Sequence, residues 1–131
     1  MASHQEIAGV SDHDLVMRMV KSHDERFDDA FWRYVEDQVQ PHLPEYPHIV
    51  DLGCGPGLFV RDLGNRISGA NLFGYDLTPA MIDYAKTEVE YSGSQPEFSV
   101  LDVTANPVPL EDDSVHLLTM TAVLHVLDEP L

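Results

Sequence analysis

The stretch Ile49-Val50-Asp51-Leu52-Gly53-Cys54-Gly55-Pro56-Gly57 carries the strongest structural signal in this 131-residue chain. A short apolar run leads directly into a glycine-rich turn, and Asp76 follows at the end of a second apolar run. Such runs are typical of buried parallel strands, and the glycines allow a tight turn and a close approach to a ligand. An acid at the end of the next strand can accept hydrogen bonds from both hydroxyls of a ribose. The pattern therefore predicts a βαβ unit that holds an adenosine-containing cofactor.

The glycine spacing separates two kinds of cofactor. A dinucleotide fingerprint would place a third small residue at position 58, which is Leu58 here. The pattern instead reads Asp51-x-Gly53-x-Gly55-x-Gly57, which resembles motif I of the class I S-adenosylmethionine (SAM)-dependent methyltransferases. Three later segments are similar to the acidic strand end, third strand and fourth strand of that family: 75–85, 98–103 and 113–120. The resemblance covers roughly residues 45–131.

The resemblance implies SAM as the cofactor and a set of residues that contact it. It places Asp51 near the methionine amino group, Asp76 on the ribose and Leu77 against the adenine ring. Asp102 and Val103 match the position at the adenine edge. The full set of cofactor-binding candidates is Asp51, Gly53, Cys54, Gly55, Gly57, Asp76, Leu77, Met81, Asp102, Val103 and Thr119.

Each of these residues also has a purely structural interpretation. The glycines could serve only a tight strand-to-helix turn, and Asp76 could interact with the dipole of the next helix. Leu77 could belong to the core, Asp102 could stabilise a turn, and Cys54 is best explained as a small loop residue. His125 is the single candidate for a catalytic base or acceptor contact, with a helix-surface histidine as the alternative. No histidine pair has the spacing of a zinc site, so we predict no metal.

We predict an α/β fold, a Rossmann-like doubly wound parallel sheet with strand order 3-2-1-4 and N-terminal helices. Residues 1–44 form the predicted N-terminal helical segment, a cofactor lid or a packing element, and residues 45–131 form the SAM-binding domain. The expected strands are 48–52, 72–75, 97–101 and 115–120. The expected helices are one from Ser11 to about 22, and others at about 25–39, 57–66 and 78–92, with a last helix beginning near Ala122.

The net charge argues against nucleic acid as a binding partner. The chain has 23 Asp and Glu against 7 Lys and Arg, which gives a formal charge of −16. Binding of nucleic acid depends on basic groups, so a chain this acidic is a poor candidate for it. The same balance is typical of a highly soluble or salt-adapted protein. No apolar stretch is long enough for a membrane span, and the single Cys54 excludes an internal disulfide, which suits a cytoplasmic protein.

The expected activity is methyl transfer from SAM to a small-molecule acceptor, because the sequence lacks the signature of DNA amino-methyltransferases after the fourth strand. One alternative is a non-catalytic SAM-binding module or a fragment without its acceptor half; a nucleotide-dependent oxidoreductase is another. The family's sheet normally has seven strands, and only four precede Leu131. The sequence departs from the family again at Val115-His116, where an aromatic-Asp pair is common. We expect either self-association along the fourth strand or a longer protein that continues the sheet.

Overall fold

The structure, a computed structural model, describes residues 11–102, 104–107, 109–111 and 113–121. Its centre is a parallel four-stranded sheet in the order β3-β2-β1-β4, as predicted from the sequence. The strands are β1 His48–Leu52, β2 Asn71–Asp76, β3 Glu97–Val100 and β4 Leu117–Thr119. The direction of progression reverses after β1, so a crevice opens at the carboxyl ends of β1 and β4.

Within the described residues, four α-helices accompany this sheet: α1 Asp12–Arg26, α2 Asp29–Tyr34, α3 Leu58–Arg66 and α4 Pro79–Thr87. A π-helical turn, Val35–Val39, and a 3₁₀ turn, Gln40–His42, follow α2 directly. The predicted start of this first helix at Ser11 is confirmed, because the Ser11 side chain caps α1 by accepting the Asp14 N–H at 3.1 Å. The expected helix near Ala122 lies outside the described residues.

The predicted single helix over 25–39 is wrong. α1 runs on to Arg26, and the chain then breaks at Phe27 and restarts, because Asp28 caps α2 by accepting the Phe31 N–H at 2.9 Å. Tyr34 lies on the outward face of the new helix and is 63% exposed. A local capping signal therefore outweighs the continuous helical periodicity.

Two further elements are shorter than predicted. α4 ends at Thr87 instead of Ser92, and the chain folds back so that the Tyr91 hydroxyl donates to the Ala85 carbonyl at 2.6 Å. β4 is confined to Leu117–Thr119, so Val115 and His116 precede the strand.

The core joins the N-terminal segment to the sheet. Trp32 is 4% exposed and stacks on Phe59 of α3 with ring centroids 5.5 Å apart. Val35 belongs to the same cluster, together with Ile49 of β1 and Leu63 of α3. Trp32 therefore packs in the core. Among the described helices, none combines the length and the apolar character that crossing a membrane requires.

Side-chain hydrogen bonds join β4 to β1 at both ends of the short segment over which the two strands pair. Near the amino end, the His48 N–H donates to His116 Nδ1 at 2.9 Å, and the His116 N–H donates to the His48 carbonyl at 2.9 Å. Near the carboxyl end, the Thr119 hydroxyl donates to Asp51 Oδ1 at 2.7 Å. Leu118 lies between these attachments and is 52% exposed.

Candidate cofactor site

The glycine loop after β1 has the backbone conformation that its sequence requires. Gly53, Gly55 and Gly57 have φ angles of 74°, 57° and 88°, a region that side chains with a Cβ rarely adopt. The N–H groups of Gly53 and Cys54 both donate to the Tyr75 carbonyl, at 2.7 and 3.0 Å. The loop is thereby fixed against the carboxyl end of β2, where Asp76 follows.

Asp76 is bonded directly to the glycine loop. Its Oδ2 accepts the Gly55 N–H at 2.8 Å, and its Oδ1 accepts the Thr78 N–H at 2.9 Å. A carboxylate has about four acceptor positions, so two remain for a ligand. The side chain is only partly buried. The arrangement suits a vicinal pair of ribose hydroxyls, whose binding would use the free acceptor positions.

Asp51 is buried beneath the same loop with one oxygen unused. The residue is 1% exposed, Oδ1 is bonded to Thr119, and Oδ2 has no partner among the described residues. Burial raises the pKa of Asp51 to about 7, against the lowering effect of the Thr119 bond. An unused buried acceptor is costly unless a donor arrives, and the amino group of a bound amino acid would be such a donor. Asp51 and Asp76 therefore suit the amino group and the ribose of SAM, respectively.

The raised pKa of Asp51 predicts how stability depends on pH. The folded protein holds this proton between about pH 4 and pH 7, whereas the unfolded chain releases it near pH 4, so stability falls as pH rises through that window. Asp51→Asn removes the effect. We expect the difference in unfolding free energy between wild type and this variant to change by up to about 4 kcal/mol between about pH 4 and pH 7.

Urea unfolding at about pH 4.5 and pH 7.5 measures this difference. Asp83 is exposed on α4, so Asp83→Asn is the matched control. We expect its stability to depend on pH as that of the wild type does. A constant difference between wild type and Asp51→Asn at the two pH values would contradict the assignment.

The other residues predicted to bind the cofactor have varied surroundings. Leu77 is partly buried beside Asp76, and Asp102 closes its own turn by accepting the Thr104 N–H at 2.9 Å. Met81 is 1% exposed and packs with Leu15 and Val16 of α1. Val103 and His125 lie outside the described residues. The cofactor roles of all these side chains stay predictions.

Two loop residues have packing explanations. A Cβ at Gly57 would lie 2.5 Å from the Tyr91 hydroxyl and 2.8 Å from the Ala85 Cβ, so glycine is required there without any ligand. Cys54 is buried, and burial raises the pKa of its thiol well above the ordinary value. The thiol stays protonated at neutral pH, in agreement with the sequence interpretation of Cys54 as a small loop residue.

Helix α1 covers the glycine loop, and a hydrogen bond between His23 and Asp62 holds it there. His23 is 3% exposed, and its Nε2 lies 2.6 Å from Asp62 Oδ2 on α3. Burial acts to raise the pKa of Asp62, but hydrogen bonds from His23 and Arg61 outweigh it and hold that pKa below its ordinary value. Sequence reasoning missed this pair because the two residues are 39 positions apart and match no local motif.

Comparison with known proteins gives the family of this chain. A family model described as "Methyltransferase domain" matches residues 49–131. The chain therefore belongs to the methyltransferase-domain family. The class that the fold and the loop define is the SAM-dependent methyltransferases of the Rossmann-like type, and their cofactor is S-adenosylmethionine.

Individual relatives support the same class. A malonyl-[acyl-carrier protein] O-methyltransferase of Hahella chejuensis is 32% identical over 82 residues, covering 63% of this chain and 28% of that protein. A trans-aconitate 2-methyltransferase of Variovorax paradoxus is 33% identical over 79 residues, covering 54% of this chain and 29% of that protein. A SAM-dependent methyltransferase from Aquifex aeolicus has the same fold, with a TM-score of 0.67 at 23% identity over 92% of this chain and 62% of that one. The chain thus spans less than a third of the length of these two curated relatives.

Proposed function

We propose that this chain binds SAM at the glycine loop and serves a methyltransferase that acts on a small-molecule acceptor. The observation that carries the proposal is the convergence of Asp76, the Gly53–Gly57 loop and the half-satisfied Asp51 at the carboxyl end of β1. The two curated relatives described above are named for a malonyl group on a carrier protein and for trans-aconitate. These names favour a small acyl or acid acceptor over nucleic acid, as does the net charge of −16.

The residues of this chain have three tasks in that reaction. Asp76 would hold the ribose and Asp51 would accept from the amino group, so that these two residues would fix bound SAM along the glycine loop. Bound SAM supplies an electrophilic methyl carbon on a sulfonium. Helix α1 covers the loop, with a Cβ built at Gly55 only 3.3 Å from the Met19 methyl, and excludes water from the reacting groups. Alignment and exclusion of water are the main requirements of an in-line displacement.

The alternative is a SAM-binding module without activity of its own. Calorimetric titration distinguishes the classes in order: SAM binding supports the cofactor assignment, and NAD binding without SAM binding would favour an oxidoreductase. A radiolabelled methyl-transfer assay on this chain and on a version extended to seven strands then separates enzyme from module. Light scattering on the same sample tests the predicted self-association along β4.

Gly55→Val tests the role of the loop. A branched side chain at φ 57° disturbs the loop where the backbone donates to Asp76, so we expect SAM binding to be lost in a protein that still folds. The matched control is Gly93→Val, since Gly93 has a similar φ of 76° and no atom within 4 Å of an added Cβ. Calorimetry gives the affinity and circular dichroism the fold. Wild-type affinity in Gly55→Val would show that the loop is only a turn.

A further inference from the structure

Asp51 is a buried acid whose surroundings do little to stabilise a negative charge. The residue is 1% exposed, and Oδ1 accepts a single hydrogen bond, from the Thr119 hydroxyl at 2.7 Å. Oδ2 has no hydrogen-bond partner among the described residues. A buried carboxylate that is neither paired with a cation nor fully hydrogen-bonded is costly, and such a group takes up a proton instead. The geometry therefore favours the neutral carboxylic acid in the ligand-free protein.

The groups beside Asp51 on the sheet and the loop do not oppose this protonation. Gly74 of β2 and Thr119 of β4 lie opposite Asp51 in the sheet, and neither ionises. Burial raises the pKa of Asp51 to about 7, the Thr119 bond acts to lower it, and the negative charge of Asp76 raises it further. Cys54 in the loop keeps its own proton, because burial raises the pKa of its thiol. The neighbouring acids thus add no positive charge.

No described cation neutralises Asp51 either, since none of the ion pairs among the described residues includes it. On α1, which covers the glycine loop, His23 is hydrogen-bonded to Asp62 at 2.6 Å, and Arg26 makes no ion pair with Asp51. Arg61 of α3 is paired with the same Asp62 carboxylate at 2.9 Å. A positively charged group that enters with a ligand would therefore give Oδ2 a partner that the free protein lacks.

We propose that cofactor binding expels the proton of Asp51, which makes this carboxyl a pH-sensitive selector for ligands that carry an α-ammonium group. The inference rests on the proposed function and deepens it. The ammonium of the ligand keeps its protons and donates one hydrogen bond to Oδ2, while the carboxyl proton passes to water. An opposite charge within hydrogen-bond distance favours the ionised form of an acid, so the carboxylate and the ammonium stabilise each other.

This exchange determines how affinity depends on pH. Above about pH 7 the carboxyl of the free protein has already lost its proton, and the ligand binds at full affinity. Below that pH the proton must leave when the ligand binds, so affinity falls as pH falls. Between about pH 8 and pH 6 the expected weakening is about 10-fold. A nucleoside without an amino group has no such dependence.

The structural alternative is that Asp51 only links β1 to β4. The Thr119 hydroxyl donates to Oδ1, and a protonated carboxyl keeps an oxygen that can accept this bond. In that role Asp51 retains its proton when a ligand binds, and affinity is the same at both pH values. Counting the protons released on binding distinguishes the two roles.

Calorimetry of S-adenosylhomocysteine binding to the whole chain, in phosphate and in imidazole buffer, counts these protons because the ionisation enthalpies of the two buffers differ. We expect release of about one proton per ligand at about pH 6 and almost none at about pH 8. 5′-Methylthioadenosine has the same nucleoside and a thioether but no amino acid, so its binding should release no proton. Asp51→Asn should bind S-adenosylhomocysteine without proton release and with the same affinity at both pH values.

Asp83→Asn removes an exposed acid on α4 and is the matched control, which should release the proton as wild type does. Binding of S-adenosylhomocysteine to wild type without proton release at about pH 6 would overturn the inference. Equal release by Asp51→Asn, or by wild type with 5′-methylthioadenosine, would overturn it as well.

Failure of the proposed function has a different signature. If neither ligand binds at either pH, the cofactor assignment is refuted, and this inference falls with it. Binding without proton release refutes the inference alone. Thermal unfolding shows whether each variant is folded, and if Asp51→Asn is not, the comparison of the two ligands on wild type decides.

Discussion

Asp76→Ala is expected to weaken SAM binding by about 10- to 150-fold, which corresponds to about 1.5–3 kcal/mol for lost hydrogen bonds to a charged group. The structure adds a second consequence. Because Asp76 accepts the N–H groups of Gly55 and Thr78, its removal leaves two backbone donors without their partner. We therefore also expect the ligand-free protein to lose about 1–2 kcal/mol of stability. Calorimetry measures the first effect and urea unfolding the second.

Asp83→Ala is the control for this variant. Asp83 is an exposed acid on α4, and its removal changes the net charge by the same amount without touching the loop. Its SAM affinity and stability should match those of wild type. Unaltered SAM affinity in Asp76→Ala would remove Asp76 from the cofactor site.

Gly57→Ala is expected to cause the largest loss of stability, about 2–5 kcal/mol. The left-handed backbone costs a residue with a Cβ about 1–2 kcal/mol, and overpacking adds about 1–3 kcal/mol. The added Cβ would meet the Tyr91 hydroxyl at 2.5 Å and the Ala85 Cβ at 2.8 Å. Tyr91 cannot easily move away, because its hydroxyl donates to the Ala85 carbonyl. Urea unfolding measures the loss.

Gly93→Ala separates the two contributions. Gly93 has a comparable φ of 76° but open space around an added Cβ, so only the backbone cost of about 1–2 kcal/mol applies. Equal losses in the two variants would show that the contact between Tyr91 and Gly57 is not tight in solution.

The parts of the fold that follow from short local patterns could be predicted from the sequence. β1, the glycine turn and the order of the sheet all depend on segments whose apolar runs and turn residues lie within a few positions of each other. The family was confirmed for the same reason. The single helix predicted over 25–39 was wrong because two local signals compete there. The apolar periodicity is continuous through this segment, but Asp28 caps a new helix within it.

The site was less predictable, because its contacts join distant positions. The bond between Thr119 and Asp51 spans 68 positions, and the bond between His23 and Asp62 spans 39. Their partners follow from how the helices and strands pack, which no periodicity encodes. The early end of α4 has a similar cause, since Tyr91 is turned back onto Ala85 after the helix ends.

The hydrogen bonds at the two ends of β4 fix its register against β1. A parallel strand displaced by two residues would keep each side chain on its original face, so hydrophobicity alone distinguishes such positions poorly. Here a displacement of about 6.6 Å would separate His116 from His48 and Thr119 from Asp51 at once. A strand of only three residues therefore pairs with β1 in a single register. That register fixes the position of Asp51 relative to the glycine loop.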